Sequence, residues 1–221
     1  GGGGAGAVCT VAVARRCDQG FGGRLLWSDQ GRSPAYDRTA LSKFGLAGKM
    51  PPDEVPALLE PDDRRKGQLE RKHAKVRSLN SQKRQLLLAD GQSIDYDACL
   101  VATGAKPKRV DVPGSTLAGV YTLRTRDDAE QLLDAATPGE PVVIVGDGFI
   151  GLEAASALCE YGAQVHVVSR HEVPLAKQLG ERIGKSIRAL HQSKGVTFHG
   201  PADVVAIDGA EQAQAVLLST G

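Results

Sequence analysis

Residues 141–169 carry the pattern that most restricts the fold. Pro141-Val142-Val143-Ile144-Val145 is an uncharged, β-branched run, as expected of a strand buried on both faces. It leads directly into Gly146-Asp147-Gly148-Phe149-Ile150-Gly151, a G-x-G-x-x-G spacing. Small-residue helical sequence follows from Leu152 to Tyr161 and stops at Gly162; Gln164 to Ser169 then reads as another strand. Each glycine has a physical task. Gly146 permits a tight turn, Gly148 lets backbone approach a diphosphate, and Gly151 lets the helix pack on the strand. The helix start adds unpaired N–H groups and the positive end of a dipole, so this stretch, Ile150 included, is read as a dinucleotide site.

A second unit of the same kind opens the chain. Gly1, Gly3 and Gly6 repeat the spacing, a small-residue helix runs from Ala5 to about Cys17, and an apolar strand runs from Gly23 to Asp29. Four leading glycines alone also suit a flexible linker; the helix and the acid-tipped strand favour a dinucleotide turn. Asp29 stands 23 residues beyond Gly6, near the ~20 typical of an acid that accepts ribose hydroxyls. Its alternative is a solvated strand end. At the later site that acid is missing: the strand ends Ser169-Arg170-His171, and the first acid is Glu172. An arginine at this point receives a 2′-phosphate, so Arg170 and His171 leave NADPH open beside NADH, or are simply solvated loop residues.

Between these units, Lys72–Asn80, Arg84–Asp90 and Ser93–Ala102 read as three strands of a small antiparallel meander, with turns at Asn80-Ser81-Gln82 and Asp90-Gly91-Gln92. Pro107, Pro113 and Gly114 mark a linker. Helices are expected over Asp127–Ala136 and, from the apolar face of Leu179, Ile183, Ile187 and Leu190, over Leu179–Ser193. The fold class is therefore α/β with two Rossmann-like dinucleotide-binding domains. Residues 1–109 form the first, which carries the meander, and residues 110–221 the second.

Composition excludes several functions. Lys and Arg total 27 against 26 Asp and Glu, a net charge of +1, so no basic field attracts nucleic acid. Aromatics are 4% of 221 residues, too few for a stacking platform. No apolar run approaches the ~18 residues of a membrane span. Cys9, Cys17, Cys99 and Cys159 lie far apart without a C-x-x-C, so neither a disulfide framework nor a metal site is expected. The cytoplasm is the expected compartment; the mitochondrion stays open because the native N-terminus looks missing. His166 reads as a strand-face residue, and His73, His191 and His199 as ordinary surface or packing positions.

These features together carry a family resemblance. Two glycine units around a small antiparallel insert, with Ala102-Thr103-Gly104 closing a strand, resemble the FAD-dependent pyridine nucleotide-disulphide oxidoreductases. Tyr36-Asp37-Arg38-Thr39-Ala40-Leu41-Ser42-Lys43 is similar to the Y-D-R-x-x-L-S-K segment of their ferredoxin and rubredoxin reductase and apoptosis-inducing-factor branch. Tyr121–Ala129 and Val173–Gly180 resemble the subgroup near apoptosis-inducing factor 3. The resemblance implies FAD on the first unit and NAD(P)H, with NADH slightly favoured, on the second. Gly1, Gly3 and Gly6 would meet the FAD diphosphate and Asp29 its ribose. Arg38, Lys43, Thr103, Gly104 and Arg124 would lie along FAD; Gly146, Gly148, Ile150, Gly151, Arg170 and Glu172 would serve NAD(P)H. The catalytic expectation is a buried Lys43–Glu153 ion pair near the flavin N5. Implied partners are an iron–sulfur acceptor protein or a fused Rieske domain, and a homodimer is compatible. The activity implied is NAD(P)H oxidation with electrons passed to that acceptor; the alternative is a slow-turnover redox-sensing flavoprotein. Against the branch the chain looks truncated at both ends, and it lacks the C-x4-C pair that disulfide reductases use.

Overall fold

The computed structural model describes residues 7–31, 34–58 and 69–221. The chain divides into two compact units. The first takes residues up to Asp37 together with Pro56–Lys106; the second takes Arg38–Val55 together with Pro107–Gly221. The division is thus not one cut near residue 109, because the segment 38–55 belongs with the later part of the chain.

In the first unit, helix α1 (Ala7–Asp18) is followed by β1 (Leu25–Asp29), which pairs in parallel with β2 (Leu69–His73), Leu25 opposite Leu69. Trp27 and Ala35 are buried, and Cys9, Val13 and Leu69 pack against them. The meander is β3 (Val76–Asn80), β4 (Gln85–Leu88) and β5 (Ser93–Asp95), antiparallel in that order. Two expectations change here. The stretch 72–80 is not one strand: the chain leaves β2 at Ala74, whose N–H bonds Asp29 O, and Lys75 O then accepts from Ala89 in the meander. The third strand ends at Asp95, and no described strand pairs with residues 98–104, so Ala102-Thr103-Gly104 closes an irregular segment.

In the second unit, β6 (Pro141–Val145), β7 (Gln164–Val168) and β8 (Thr197–His199) form a parallel sheet in that order. β6 is not buried on both faces: Ile144 faces the helix that begins at Phe149, while Val143 and Val145, on the opposite face, are 40% and 46% exposed. Helix α2 (Arg126–Ala135) opens on a capping box in which Thr125 Oγ1 accepts from Asp128 N–H and Asp128 Oδ2 accepts from Thr125 N–H. Helix α3 (Phe149–Tyr161) links β6 to β7, buries Leu152, Ala155 and Leu158, and ends on Gly162 at φ 106°. The expected single helix over 179–193 is two, α4 (Ala176–Leu179) and α5 (Glu181–Ser193). Gly180 separates them at φ 82°, a left-handed backbone that no continuous helix contains. β8 was absent from the sequence reading. β9 (Val204–Asp208) and β10 (Ala215–Leu218) make an antiparallel hairpin. No helix among the described residues is long and apolar enough to cross a membrane.

Candidate functional site

The glycine turn of the second unit has the geometry its spacing requires. Gly146 takes φ 118° as the chain leaves β6, and its N–H donates to Val168 O on β7 at 2.9 Å. A Cβ built on Gly151 would come far inside 3.0 Å of Gly146 O, so helix and strand touch here through bare backbone. At Gly148 no described atom lies within 4 Å of a built Cβ, and no side chain caps α3 there. The first turn of α3 therefore points its free N–H groups into open space, beside the exposed Phe149 and Ile150. This arrangement fits a diphosphate: positive, open and without a side chain in the way.

At the β7 tip, Ser169 is buried. Its Oγ lies 2.6 Å from Asp147 Oδ2, to which it donates, and it accepts the His171 N–H at 2.9 Å. His171 Nδ1 is 3.8 Å from the same Asp147 oxygen. Asp147, Gly148, His171, Leu175 and Lys177 line a hollow of about 60 Å³ beside the turn. A larger hollow, about 280 Å³, is walled by Arg109, residues 117–122, Asp128 and Gln131 and shares no residue with the turn. Arg170 points outward and pairs with Asp203, while Glu172 is exposed and its carbonyl accepts from Arg188.

The segment 38–55 runs along α3. Leu41–Gly45 is a widened π-type turn in which Leu46 N–H bonds Leu41 O five residues back, a rare form found often at functional positions. It places Ser42 Oγ 2.6 Å from Glu153 Oε2 and Lys43 Nζ 3.7 Å from Glu153 Oε1. The ion pair expected as buried is half-exposed, with 46% of the Lys43 side chain and 33% of the Glu153 side chain accessible. The tighter partner of Glu153 is the buried Ser42, which sequence reasoning did not single out. Further along, Lys49 Nζ is 2.7 Å from Glu160 Oε1. Arg38 begins this segment, half-buried, with its carbonyl accepting from Leu41. Arg124 precedes the α2 cap; its backbone N–H donates to Asp128 Oδ2 at 2.9 Å. Its Nε is buried without a hydrogen-bond partner among the described residues. An orphaned guanidinium nitrogen of this kind suits an anionic or polar cofactor group.

In the first unit, Gly1, Gly3 and Gly6 lie outside the described residues. Asp29 is buried at the end of β1 rather than solvated. Its Oδ1 accepts from Gly31 N–H at 2.8 Å, and Arg71 Nη2 lies 3.6 Å from Oδ2. Burial first, and the Asp29 charge second, raise the Cys9 thiol above its ordinary pKa. Thr103 and Gly104 are exposed, Gly104 at φ 70°. Among the described residues no group of three or more His, Cys, Asp or Glu could hold a metal ion.

Two histidine contacts lay beyond sequence reasoning. His166 Nδ1 lies 3.0 Å from His199 Nε2 across β7 and β8. His191 contacts Ile187 O and Leu152 O at 2.9 and 3.1 Å, tying α5 to the first turn of α3.

The pyridine nucleotide-disulphide oxidoreductase family model matches residues 1–221. The ferredoxin–NAD(+) reductase subunit of the benzene 1,2-dioxygenase system of Pseudomonas putida is 35% identical over 213 residues, which is 96% of this chain and 51% of that protein. Human apoptosis-inducing factor 3 is 30% identical over 96% of this chain and 34% of its own length. Among solved structures, a ferredoxin reductase from Rhodopseudomonas palustris superposes with a TM-score of 0.88 at 29% identity, covering 99% of this chain and 54% of that one. The chain thus spans about half the length of the two ferredoxin reductases.

Proposed function

The chain belongs to the pyridine nucleotide-disulphide oxidoreductase family, and from that premise we propose an FAD-dependent NAD(P)H oxidoreductase that passes electrons to an iron–sulfur protein. The observation that carries the reading is the turn from Gly146 to Gly151: backbone against backbone at Gly151, open space at Gly148, and an uncapped helix start. The similarity to the Pseudomonas putida ferredoxin–NAD(+) reductase subunit supports the acceptor class. NADH is the favoured donor.

The chain's residues take the following parts in the proposal. The α3 N–H groups hold the NAD(P)H diphosphate, and Asp147 fixes the β7 tip through Ser169. Asp29, Arg38, Arg124, Thr103 and Gly104 serve FAD, Asp29 at the ribose and Arg124 through its unpartnered Nε. Ser42 holds one oxygen of the Glu153 carboxylate and leaves the other toward Lys43, a charge pair that would lie beside a bound flavin. A bound flavin would supply two-electron acceptance from the nicotinamide and one-electron release to the acceptor.

The test is anaerobic titration of the FAD-loaded protein with NADH and with NADPH, followed by visible absorbance. Bleaching of the yellow colour by at least one coenzyme is expected; no bleaching by either overturns the reading.

A further inference from the structure

In dinucleotide folds an acid near the tip of the second strand accepts the ribose 2′-hydroxyl. Here that place is taken by Ser169, whose Oγ is turned inward and committed to Asp147. The β7 tip therefore presents no acid of its own. The structure supplies one from the connection between β8 and β9: the Asp203 carboxylate pairs with Arg170 Nε.

Both halves of this pair are mounted on fixed backbone. Ser169 N–H donates to His199 O at 2.9 Å, and Ala202 N–H donates back to Ser169 O at 2.8 Å. Asp203 N–H donates to Ser219 Oγ at 3.0 Å, and Ser219 N–H returns to Asp203 O at 2.9 Å. A Cβ on Gly200 would overlap Ser169 O, so the connection lies flush on the strand tip.

We infer that Asp203 is the acid that sets coenzyme specificity, accepting from the adenosine ribose of NADH and repelling the 2′-phosphate that Arg170 would otherwise draw in. The inference rests on the dinucleotide reading above. It gives to Asp203 the part for which the end of β7 has no acid, Glu172 being the first acid beyond it and exposed. With Asp203 neutralised, Arg170 is released and its guanidinium is left to meet a phosphate.

The experiment is calorimetric titration of the FAD-loaded protein with NAD+ and separately with NADP+. The proteins compared are the unaltered chain, Asp203→Asn, Glu172→Gln, and Asp203→Asn combined with Arg170→Ala. The unaltered protein is expected to bind NAD+ more tightly. Asp203→Asn is expected to tighten NADP+ by about tenfold, the order of repulsion that a carboxylate exerts on a phosphate dianion a few ångströms away in water, while weakening NAD+. Adding Arg170→Ala should cancel the NADP+ gain, and Glu172→Gln should leave the ratio where it was. An unaltered protein that prefers NADP+, a ratio that Asp203→Asn does not move, a gain that survives Arg170→Ala, or a ratio that moves with Glu172→Gln overturns the assignment. Failure of every protein to bind either coenzyme is a different result; it removes the dinucleotide reading itself, and this inference with it.

Discussion

Gly151→Ala sets two known effects against each other. Alanine is the better helix former by ~1 kcal/mol in a helix interior, and position 151 lies in the first turn of α3, where the gain is smaller. Against it stands the contact with Gly146 O. Real Cβ atoms essentially never come within 3.0 Å of a neighbour, and the obstructing atom is backbone, not the end of a flexible side chain. The turn must open by on the order of 1 Å in a close-packed setting, because Leu152, Ala155 and Leu158 on the same helix are at most 4% exposed. Overpacking of this kind costs ~1–3 kcal/mol, so the clash wins. A chain of this size should lose roughly 2–4 °C in Tm per kcal/mol. Gly148→Ala is the control. Gly148 has φ −75°, which alanine adopts freely, and no described atom crowds its Cβ. Its stability should stay within ~0.5 kcal/mol of the parent, while its methyl group obstructs the diphosphate and weakens NAD+ binding by roughly tenfold or more, a factor of ten being 1.4 kcal/mol. Thermal and urea unfolding by circular dichroism, with NAD+ calorimetry, measure both. A Gly151→Ala protein as stable as its parent would show that the helix does not touch the strand through this glycine.

Two further outcomes are expected. Ser42→Ala should destabilise by ~1–2 kcal/mol, since it removes a donor to a carboxylate, whereas Lys43→Ala, at a half-exposed pair, should cost under ~1 kcal/mol; urea unfolding that reverses this order would contradict the geometry. The raised Cys9 pKa means that stability contributed by the protonated thiol is intact below the ordinary thiol value of 9.0 and is lost as pH climbs through the higher folded value. Asp29→Asn should speed Cys9 alkylation at pH 8 and leave Cys99 unchanged, because Cys99 is raised by burial alone; mass-resolved iodoacetamide labelling that finds the two thiols equally affected would refute the Asp29 contribution.

The legible parts of the structure were those written in neighbouring residues. β6, the glycine turn, α3 and β7 could be read because an uncharged β-branched run, three spaced glycines and a helix-stopping glycine act within one stretch of chain. The Thr125–Asp128 capping box is a local Thr-x-x-Asp spacing too, but sequence reasoning did not single it out. The break at Gly180 was also present in the sequence, but the apolar period of Leu179, Ile183, Ile187 and Leu190 outweighed a lone glycine. The separation of β2 from β3 had no turn residue to announce it, and the neighbours that set it, Asp29 and Ala89, are tertiary. Ser42 with Glu153, 111 residues apart, and Arg170 with Asp203, 33 apart, leave no periodic trace at all. Lys43 with Glu153 was reachable only through family resemblance, and even then its exposure was not.

The interrupted makeup of the second unit bears on how it can be expressed and how it assembles. Residues 38–55 supply the strip that covers one flank of α3, through Ser42 and Lys43 at Glu153 and Lys49 at Glu160. A fragment cut to begin at Pro107 would keep all three nucleotide-turn glycines yet bare that flank, and would be prone to clump or be degraded. During synthesis the strip emerges more than a hundred residues before the helix it must meet, so closure of the unit waits for a long-range encounter. Anyone trimming this protein to a minimal nucleotide-binding piece should graft the strip back before trusting the result.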